Sequence, residues 1–302
     1  MSRSTRNTAP DIARLIADAH ALLGRLDRLL PTALLPTDWQ ASTAFRWRKL
    51  NGRGTIQPVS HPHRIRLQDL QGVDEQKKRV QRNTLQFVRG HPANNVLLTG
   101  ARGTGKSSLV KALLNEYAAR KLRLIEVEKH DLIDLPEIVD QIAARPERFI
   151  LFCDDLSFEA DDPGYKALKV VLDGSIAAAS ENVLIYATSN RRHLMPEYMQ
   201  ENLETRYVGG EVHPGEAVEE KISLSERFGV WVSFYPFDQQ QYLEIVNHWL
   251  TVLNITERDS DALRQSALQW ALGRGSRSGR VAWQFARDWA GRERMKTRGG
   301  KS

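Results

Sequence analysis

The sequence has little cysteine and no long apolar run, and both absences narrow the classes of protein it can encode. Its 302 residues include one cysteine, so no disulfide can form within the chain. Cysteine-poor chains are typical of reducing compartments, and we expect a cytoplasmic location. No stretch approaches the ~18 apolar residues of a transmembrane helix. The first residues also lack the apolar core of a signal peptide, so no membrane contact is expected.

Basic residues outnumber acidic ones, 43 to 37, which gives a formal charge of +6. This excess is compatible with an acidic partner, and nucleic acid stays open as one. Part of the excess lies near the end of the chain, where we interpret residues 293–302 as a basic, disordered tail. The basic side chains of this end are Arg292, Arg294, Lys296, Arg298 and Lys301.

One motif organises the rest of the chain: an apolar run, then Gly-x-x-x-x-Gly-Lys-Ser, then the start of an amphipathic helix. Gly100, Gly103 and Gly105 permit backbone conformations that are closed to larger residues, so that successive N–H groups can surround a phosphate. The following helix directs its positive N-terminal end at the same phosphate. The expected nucleotide-binding residues are Gly100, Ala101, Arg102, Gly103, Thr104, Gly105, Lys106, Ser107 and Ser108.

Two side chains of this motif have specific roles in the prediction. Lys106 can reach the β- and γ-phosphates, and the Ser107 hydroxyl can ligate Mg²⁺. We therefore expect ATP and Mg²⁺ as cofactors. The alternative is a glycine-rich turn without a nucleotide, which the position between a predicted strand and a helix disfavours.

Two carboxylates follow the most apolar predicted strand. Residues 149–153 are all apolar, which indicates a parallel strand buried on both faces, with Cys153 as a small buried side chain. The carboxyl ends of such strands are where an open α/β sheet binds its ligand. Asp154 is predicted to hold Mg²⁺, directly or through water, and Asp155 to polarise a water toward the γ-phosphate. The alternative is a structural pair that caps the next helix.

A polar residue also follows the next predicted strand, residues 182–188. Asn190 would lie beside the two carboxylates in a parallel sheet, where it could orient the attacking water or contact the γ-phosphate. The alternative role is a helix N-cap.

Two segments before the motif admit two interpretations each. Residues 11–30 are predicted to form an amphipathic helix, which either packs on the same chain or docks on a partner or neighbouring subunit; we favour the first. Residues 31–65 are predicted to be irregular. Within them, residues 45–49 interleave aromatic and basic side chains, as single-strand nucleic-acid binders do, although a structural arm with buried aromatics is favoured.

The order of motifs resembles that of the AAA+ ATPases over residues 66–292. The sequence is most similar to a bacterial family of stand-alone AAA+ proteins of unestablished role, on the evidence of residues 92–96, 152–158 and 187–192. The resemblance implies a Walker A loop over residues 100–107 and a Walker B pair at Asp154 and Asp155. It also implies that Asn190 is sensor 1 and that Arg227, in Ser-Glu-Arg-Phe-Gly, is an arginine finger offered to a neighbouring subunit.

The resemblance implies two further contacts with the nucleotide. Arg280 takes the place of sensor 2, with Arg277 as the alternative. Gly72 and Val73 match the stretch that lines the adenine pocket. The proposed catalytic set is therefore Lys106, Asp155, Asn190, Arg227 and Arg280, with Ser107 and Asp154 at the metal.

The expected fold is a P-loop NTPase of the AAA+ type, in three layers with a five-stranded parallel sheet. We expect an N-terminal helix and irregular arm (1–65), an α/β nucleotide-binding core (66–235), a loop at 204–215 within it, a small helical lid (236–292) and the tail (293–302). A homo-oligomer with a trans arginine finger is implied, because a finger acts on the neighbour's nucleotide.

Two functions compete. The first is Mg²⁺-dependent ATP hydrolysis coupled to remodelling of an unidentified protein or protein–nucleic-acid partner. The second is a slowly hydrolysing, nucleotide-gated switch or loader that acts near DNA. The second is motivated by Asp155, because many AAA+ proteins have the longer glutamate there. A small-molecule kinase is disfavoured, because Ser-Glu-Arg-Phe-Gly has no role in one.

Overall fold

The computed structural model describes most of the chain. The described residues are 14–22, 36–50, 52–158, 162–173, 181–191, 194, 206–208, 211–213, 224–255 and 260–299. Parts of the predicted helix 11–30 and the last residues of the predicted tail lie outside them. No helix within these ranges is long and apolar enough to cross a membrane.

The described strands and helices are numbered in chain order. The strands are β1 (Ala44–Leu50), β2 (Arg53–Pro58), β3 (Val96–Gly100), β4 (Leu122–Glu126), β5 (Arg148–Cys153), β6 (Val183–Ser189), β7 (Arg206–Val208), β8 (Glu211–His213) and β9 (Val230–Phe234). The helices are α1 (Asp74–Val88), α2 (Lys106–Tyr117), α3 (Leu135–Ile142), α4 (Pro163–Asp173), α5 (Gln239–Val252), α6 (Asp261–Gly273) and α7 (Gly279–Gly299).

A mostly parallel sheet with the strand order β2-β1-β4-β5-β6-β3-β9 forms the centre of the fold. Only the β1–β2 pair is antiparallel; the other neighbours are parallel. The prediction of an α/β fold with a parallel sheet is confirmed. The five predicted strands correspond to β4, β5, β6, β3 and β9, which are consecutive neighbours in this sheet.

The strand count of five is wrong, because the sheet in the described residues has seven strands. A hairpin of β1 and β2 extends the sheet beside β4, within a segment that we expected to be irregular. Its alternate residues Phe45 and Trp47 are fully buried. Arg46, Arg48 and Lys49 form ion pairs of 2.7–2.8 Å with carboxylates that follow β4 or lie in it. The interleaved residues here form a two-faced strand, with its aromatic side chains buried and its basic side chains in ion pairs.

Helices cover both faces of the sheet, and the strands divide their side chains between two apolar clusters. In β3, Leu98 belongs to one cluster and Leu97 to the other. The first cluster includes Leu109 of α2, together with side chains of α1 and α5–α7. The second includes Ile138 of α3 and Leu168 of α4. Side chains of successive strand residues point to opposite faces, which produces the three layers.

The last three helices pack on one another and on the first cluster. Asp238 caps α5 and Ser260 caps α6 by accepting hydrogen bonds from backbone N–H groups of the first turn. The Tyr242 hydroxyl donates to the Ala267 carbonyl and ties α5 to α6. Phe285 of α7 is fully buried against the same helices. These helices are the region that the sequence analysis assigned to a lid.

Three further details differ from the prediction. Within the predicted loop 204–215, the described residues form two short strands, because β7 and β8 pair in an antiparallel way. Residues 293–299 are not disordered, because α7 continues to Gly299 and Lys296 forms an ion pair with Glu293 one turn away. Residues 14–22 are helical, but Leu15 and Ile16 are exposed rather than packed on the described part of the chain.

The single cysteine is a reporter of folding. Cys153 is fully buried in β5, and burial, with a smaller effect of Asp154, raises its thiol pKa to about 12. We expect no reaction with iodoacetamide at pH 8 in the native protein and stoichiometric labelling in denaturant, because only the thiolate reacts. Mass spectrometry of the alkylated protein checks this, and rapid labelling without denaturant would contradict the burial.

Candidate functional site

Three neighbouring strands of the sheet end at the residues that the sequence analysis selected. Strand β6 lies between β5 and β3 and is parallel to both. Asp154 and Asp155 follow β5, Asn190 follows β6, and the glycine-rich loop follows β3. The sheet order therefore places Asn190 between the carboxylates and the loop.

The loop backbone depends on glycine at two close approaches. Gly100 has φ 121°, and a Cβ there would lie 1.9 Å from the Phe234 carbonyl oxygen of β9. Gly103 has φ 75°, and its Cβ would lie 2.8 Å from the Ser278 hydroxyl oxygen. The first contact lies within the sheet and the second lies against the start of α7. The loop is thus held from both sides.

Lys106 is a buried cation at the start of α2. Its ammonium donates to the carbonyl oxygens of Gly100 and Ala101 at 2.6 and 2.8 Å, and to the amide oxygen of Asn190 at 2.9 Å. Its side chain is 5% exposed, and burial is the main cause that lowers its pKa, against the opposing effect of Asp154 and Asp155. A cation whose charged form is disfavoured by burial and which touches only neutral oxygens is suited to an anion.

Asp154 accepts two hydrogen bonds on one carboxylate oxygen. The hydroxyls of Ser107 and Thr188 both lie 2.6 Å from its Oδ1. A hydroxyl and a carboxylate in contact are hard oxygen donors of the kind that Mg²⁺ prefers. The predicted metal residues are therefore brought together.

Asp155 and Asn190 are also brought together. The Asn190 amide nitrogen donates to the Asp155 carboxylate, so that this one amide contacts both Lys106 and Asp155. Arg102 of the loop lies 3.6 Å from the other carboxylate oxygen, in an exposed ion pair. Asn190 thus bridges the cation and the carboxylate.

The segment before α1 packs against the same region. Val73 is buried, and Leu70 lies 3.6 Å from the Cβ position of Gly105. Gly72 has φ 71°, and a Cβ there would lie 3.2 Å from Phe237. The predicted adenine-pocket segment therefore adjoins both the glycine-rich loop and the segment that leads into α5.

Arg227, predicted as the arginine finger, and Arg280, predicted as sensor 2, have different surroundings. Arg227 forms an ion pair with Asp173, at the end of α4, and is partly buried. Arg280, in the first turn of α7, is exposed and near Gly103. Arg277 is exposed too. The side chains of Arg277 and Arg280 have no hydrogen bond or ion pair to another described residue.

Helix α7 contacts the loop directly through its first residues. The Gly279 N–H donates to the Gly103 carbonyl at 2.9 Å, and the buried Ser278 hydroxyl accepts from the Val281 N–H. Sequence reasoning selected Arg280 but missed this backbone contact. The Ser-Gly pair before Arg280 was the available signal, because an N-cap followed by glycine permits a close approach.

Thr188 is a second residue that the sequence analysis missed. It is 1% exposed in β6 and contacts both members of the carboxylate pair. Its position two residues before Asn190 was visible, but the sheet order that faces it toward Asp154 was not.

The residues fit a Mg²⁺–nucleotide in their chemistry. Lys106 is a buried cation, the loop after β3 provides backbone N–H groups, and α2 begins at the loop with its N-terminal end. Ser107 and Asp154 provide oxygen donors for a cation beside it. Within the described ranges there is no group of three or more His, Cys, Asp or Glu side chains that could hold a metal ion.

The comparisons with known proteins identify a family. Residues 40–293 match the model of the family described as Protein of unknown function (DUF815), which is more than half of the chain. The chain therefore belongs to that family. No curated protein matches the sequence.

Several solved structures are similar at low identity. They include a RuvB variant from Thermotoga maritima, 16% identical with a TM-score of 0.49, over 74% of this chain and 63% of that one. The AAA domain of FIGL-1 in complex with ADP is 18% identical with a TM-score of 0.49, over 76% and 73%. A HORMA:CdnC:Trip13 complex from E. coli MS115-1 is 15% identical with a TM-score of 0.45, over 74% and 90%. The chain thus spans less than two thirds of the RuvB structure.

The glycine contact within the sheet has a measurable consequence. We expect Gly100→Ala to lower the free energy of unfolding by about 2 kcal/mol or more, because the backbone conformation and the Phe234 carbonyl both oppose a Cβ. Gly291→Ala is the matched control: outside its own turns of helix, no atom of the described residues lies within 4 Å of that Cβ, and alanine in a helix should raise stability by roughly 0.5–1 kcal/mol. Urea unfolding measures both, and an unchanged Gly100→Ala would contradict the geometry.

Proposed function

We propose that the chain is an AAA+ ATPase that binds and hydrolyses ATP with Mg²⁺ and couples this to remodelling of a protein or protein–nucleic-acid partner. The observation that carries the proposal is the linked set at the ends of β3, β5 and β6: Lys106, Asn190 and Asp155 in one chain of hydrogen bonds, and Ser107 with Asp154 beside it. Phosphoryl transfer needs this combination of a cation, metal ligands and a group that orients water.

Each residue of the set has a role in this proposal. Lys106 and the loop N–H groups bind and orient the phosphates. Ser107 and Asp154 would hold Mg²⁺, which when bound neutralises charge on the phosphate oxygens. The Asp155 carboxylate holds a water in line with the γ-phosphate and accepts its proton, while Asn190 keeps that carboxylate beside Lys106. Gly72 and Val73 contact the base, and Arg280 the phosphates from α7.

Arg227 is proposed to act in trans, in a homo-oligomer. Among the described residues, its guanidinium forms an ion pair with Asp173 of α4. An ion pair that is partly exposed costs little to break, since such pairs contribute about 0–1 kcal/mol. In this proposal the guanidinium leaves Asp173 and contacts the nucleotide bound by a neighbouring subunit.

A second function, a slowly hydrolysing nucleotide-gated switch or loader, is favoured by the contacts of Asp155. Its carboxylate is shorter than glutamate and is already engaged by Asn190 and near Arg102. A carboxylate with both oxygens engaged is a weaker acceptor for a proton from water. The support for a role near DNA is reduced, because the aromatic and basic residues of β1 are buried or paired within the chain.

Substitution of Arg227 distinguishes an arginine finger from a residue that only forms a structural ion pair. We expect Arg227→Ala to reduce turnover by roughly 10³-fold or more, with ADP affinity retained, because an arginine finger stabilises charge only in the transition state. Asp173→Asn is the matched control, since it removes the same ion pair but keeps the guanidinium, and it should retain turnover. Phosphate release and calorimetric ADP titration are the measurements. Equal losses in both variants would contradict the finger.

Mixing variants tests whether the finger acts in trans. Arg227→Ala and Lys106→Ala are each inactive alone in this proposal. A mixture should regain turnover, because an intact phosphate loop from the first meets an intact finger from the second. A mixture as inactive as its parts would show that both residues serve one subunit.

Substitution of Asp155 distinguishes an ATPase from a slowly hydrolysing, nucleotide-gated switch. We expect multiple-turnover phosphate release by the wild-type protein and a loss of roughly 10²–10⁴-fold in Asp155→Asn, because the amide cannot accept the proton of water. Asp155→Asn keeps the size of the side chain, and ATP binding should persist. If the wild-type protein releases phosphate no faster than Asp155→Asn, the switch is the correct function.

A further inference from the structure

Thr188 joins the two carboxylate residues of the site through one hydroxyl. Its Oγ1 lies 2.6 Å from the Asp154 carboxylate oxygen and 2.9 Å from the backbone nitrogen of Asp155. The side chain is 1% exposed, so water does not compete for either bond. No role has been given to this residue in the function proposed above.

The chemistry of the neighbours determines which way each hydrogen bond runs. A backbone N–H can only donate, and an ionised carboxylate can only accept. The Thr188 hydroxyl must therefore accept from Asp155 and donate to Asp154. A single proton position satisfies both partners, so this contact has one arrangement rather than several.

The backbone of Asp155 depends on that contact. Asp155 has φ 53°, in the left-handed region, which only glycine and, to a lesser extent, Asn and Asp adopt readily. The next residue is tied to the same strand end, because the Leu156 N–H donates to the Thr188 carbonyl at 2.7 Å. The Ser189 hydroxyl in turn donates to the Leu156 carbonyl at 2.8 Å. These bonds turn the chain after Asp154, and the turned residue directs its carboxylate at Asn190.

The contact with Asp154 has a second consequence, for Ser107. The Asp154 oxygen that accepts a hydrogen bond from Thr188 also accepts one from the Ser107 hydroxyl, at 2.6 Å. With its proton used in this way, the Ser107 oxygen presents its lone pairs away from Asp154. Thr188 thus fixes the carboxylate that orients the hydroxyl expected at Mg²⁺.

We propose that Thr188 is a positioning residue, which holds Asp154 for the metal and Asp155 for the water through its one hydroxyl. This inference rests on the proposed function, because it assigns Thr188 to the same site. Residues that orient metal ligands are worth roughly 10–100-fold in metal affinity or activity when they are removed.

The test compares three substitutions that separate the hydroxyl from the shape of the side chain. Thr188→Val keeps the shape and removes the hydroxyl, Thr188→Ser keeps the hydroxyl, and Thr188→Ala removes both. Thr84→Val is the matched control: Thr84 is also fully buried and its hydroxyl bonds to the Val80 carbonyl and to Tyr186 of the same strand β6, away from the site.

The first readout is binding rather than turnover. ADP is titrated by calorimetry in EDTA and at a series of Mg²⁺ concentrations. We expect Thr188→Val and Thr188→Ala to bind ADP in EDTA as the wild-type protein does, but to need roughly 10–100-fold more Mg²⁺ for the same gain in affinity. Thr188→Ser and Thr84→Val should need the wild-type concentration.

The second readout is phosphate release at saturating ATP and Mg²⁺. Turnover in Thr188→Val should stay below wild type even at saturating Mg²⁺, because Asp155 is displaced as well as Asp154. Wild-type Mg²⁺ dependence in Thr188→Val would overturn the proposal, and so would an equal loss in Thr84→Val. If Thr188→Val does not fold, the comparison of Thr188→Ser with Thr188→Ala decides by the same criterion. Failure of the wild-type protein to bind ADP would instead overturn the proposed function.

Discussion

The buried ammonium group of Lys106 is the constraint on which the site depends. A charge at 5% exposure is unfavourable unless polar groups surround it, and here the carbonyls of Gly100 and Ala101 and the amide of Asn190 do so. Each of these groups lies at or just after the end of a parallel strand. The register of β3 and β6 must therefore be correct to within one residue, since a slip would remove an oxygen from the cation. In this way one charge links the sheet to the loop.

The order of the strands determines which polar side chains meet beside Lys106. Because β6 lies between β3 and β5, its last residues can reach both neighbours. Asn190 reaches across to Lys106 on one side and Asp155 on the other, and Thr188 reaches Asp154. Strand β6 carries neither the glycine-rich motif nor the carboxylate pair, yet residues at its end contact both. The start of α7 completes the enclosure, through the bond from Gly279 to Gly103.

Much of the site was predictable because its chemistry is local. Glycines, lysine and serine at fixed spacing specify a phosphate loop wherever a strand precedes them and a helix follows, and two carboxylates after an apolar strand specify the other side. The outer parts were harder. The β1–β2 hairpin was missed because Phe45 and Trp47 alternate with Arg46 and Arg48, and such a pattern serves a half-buried strand as well as a binding arm. The helix beyond Arg292 was missed because composition alone does not show the pairing of Lys296 with Glu293.

The sequence by itself indicated the glycine-rich loop between a strand and a helix, the polar residues Asp154, Asp155 and Asn190 at strand ends, and the α/β class of the fold, because each follows from residue type and spacing within a few residues. Tertiary structure alone decided that Thr188 faces Asp154, that Asn190 bridges two groups, and that Arg227 pairs with Asp173. These contacts join residues that are 34 to 84 positions apart in the sequence. They depend on which strands are neighbours, and the free energy that selects this order is spread over the whole core rather than contained in any one segment.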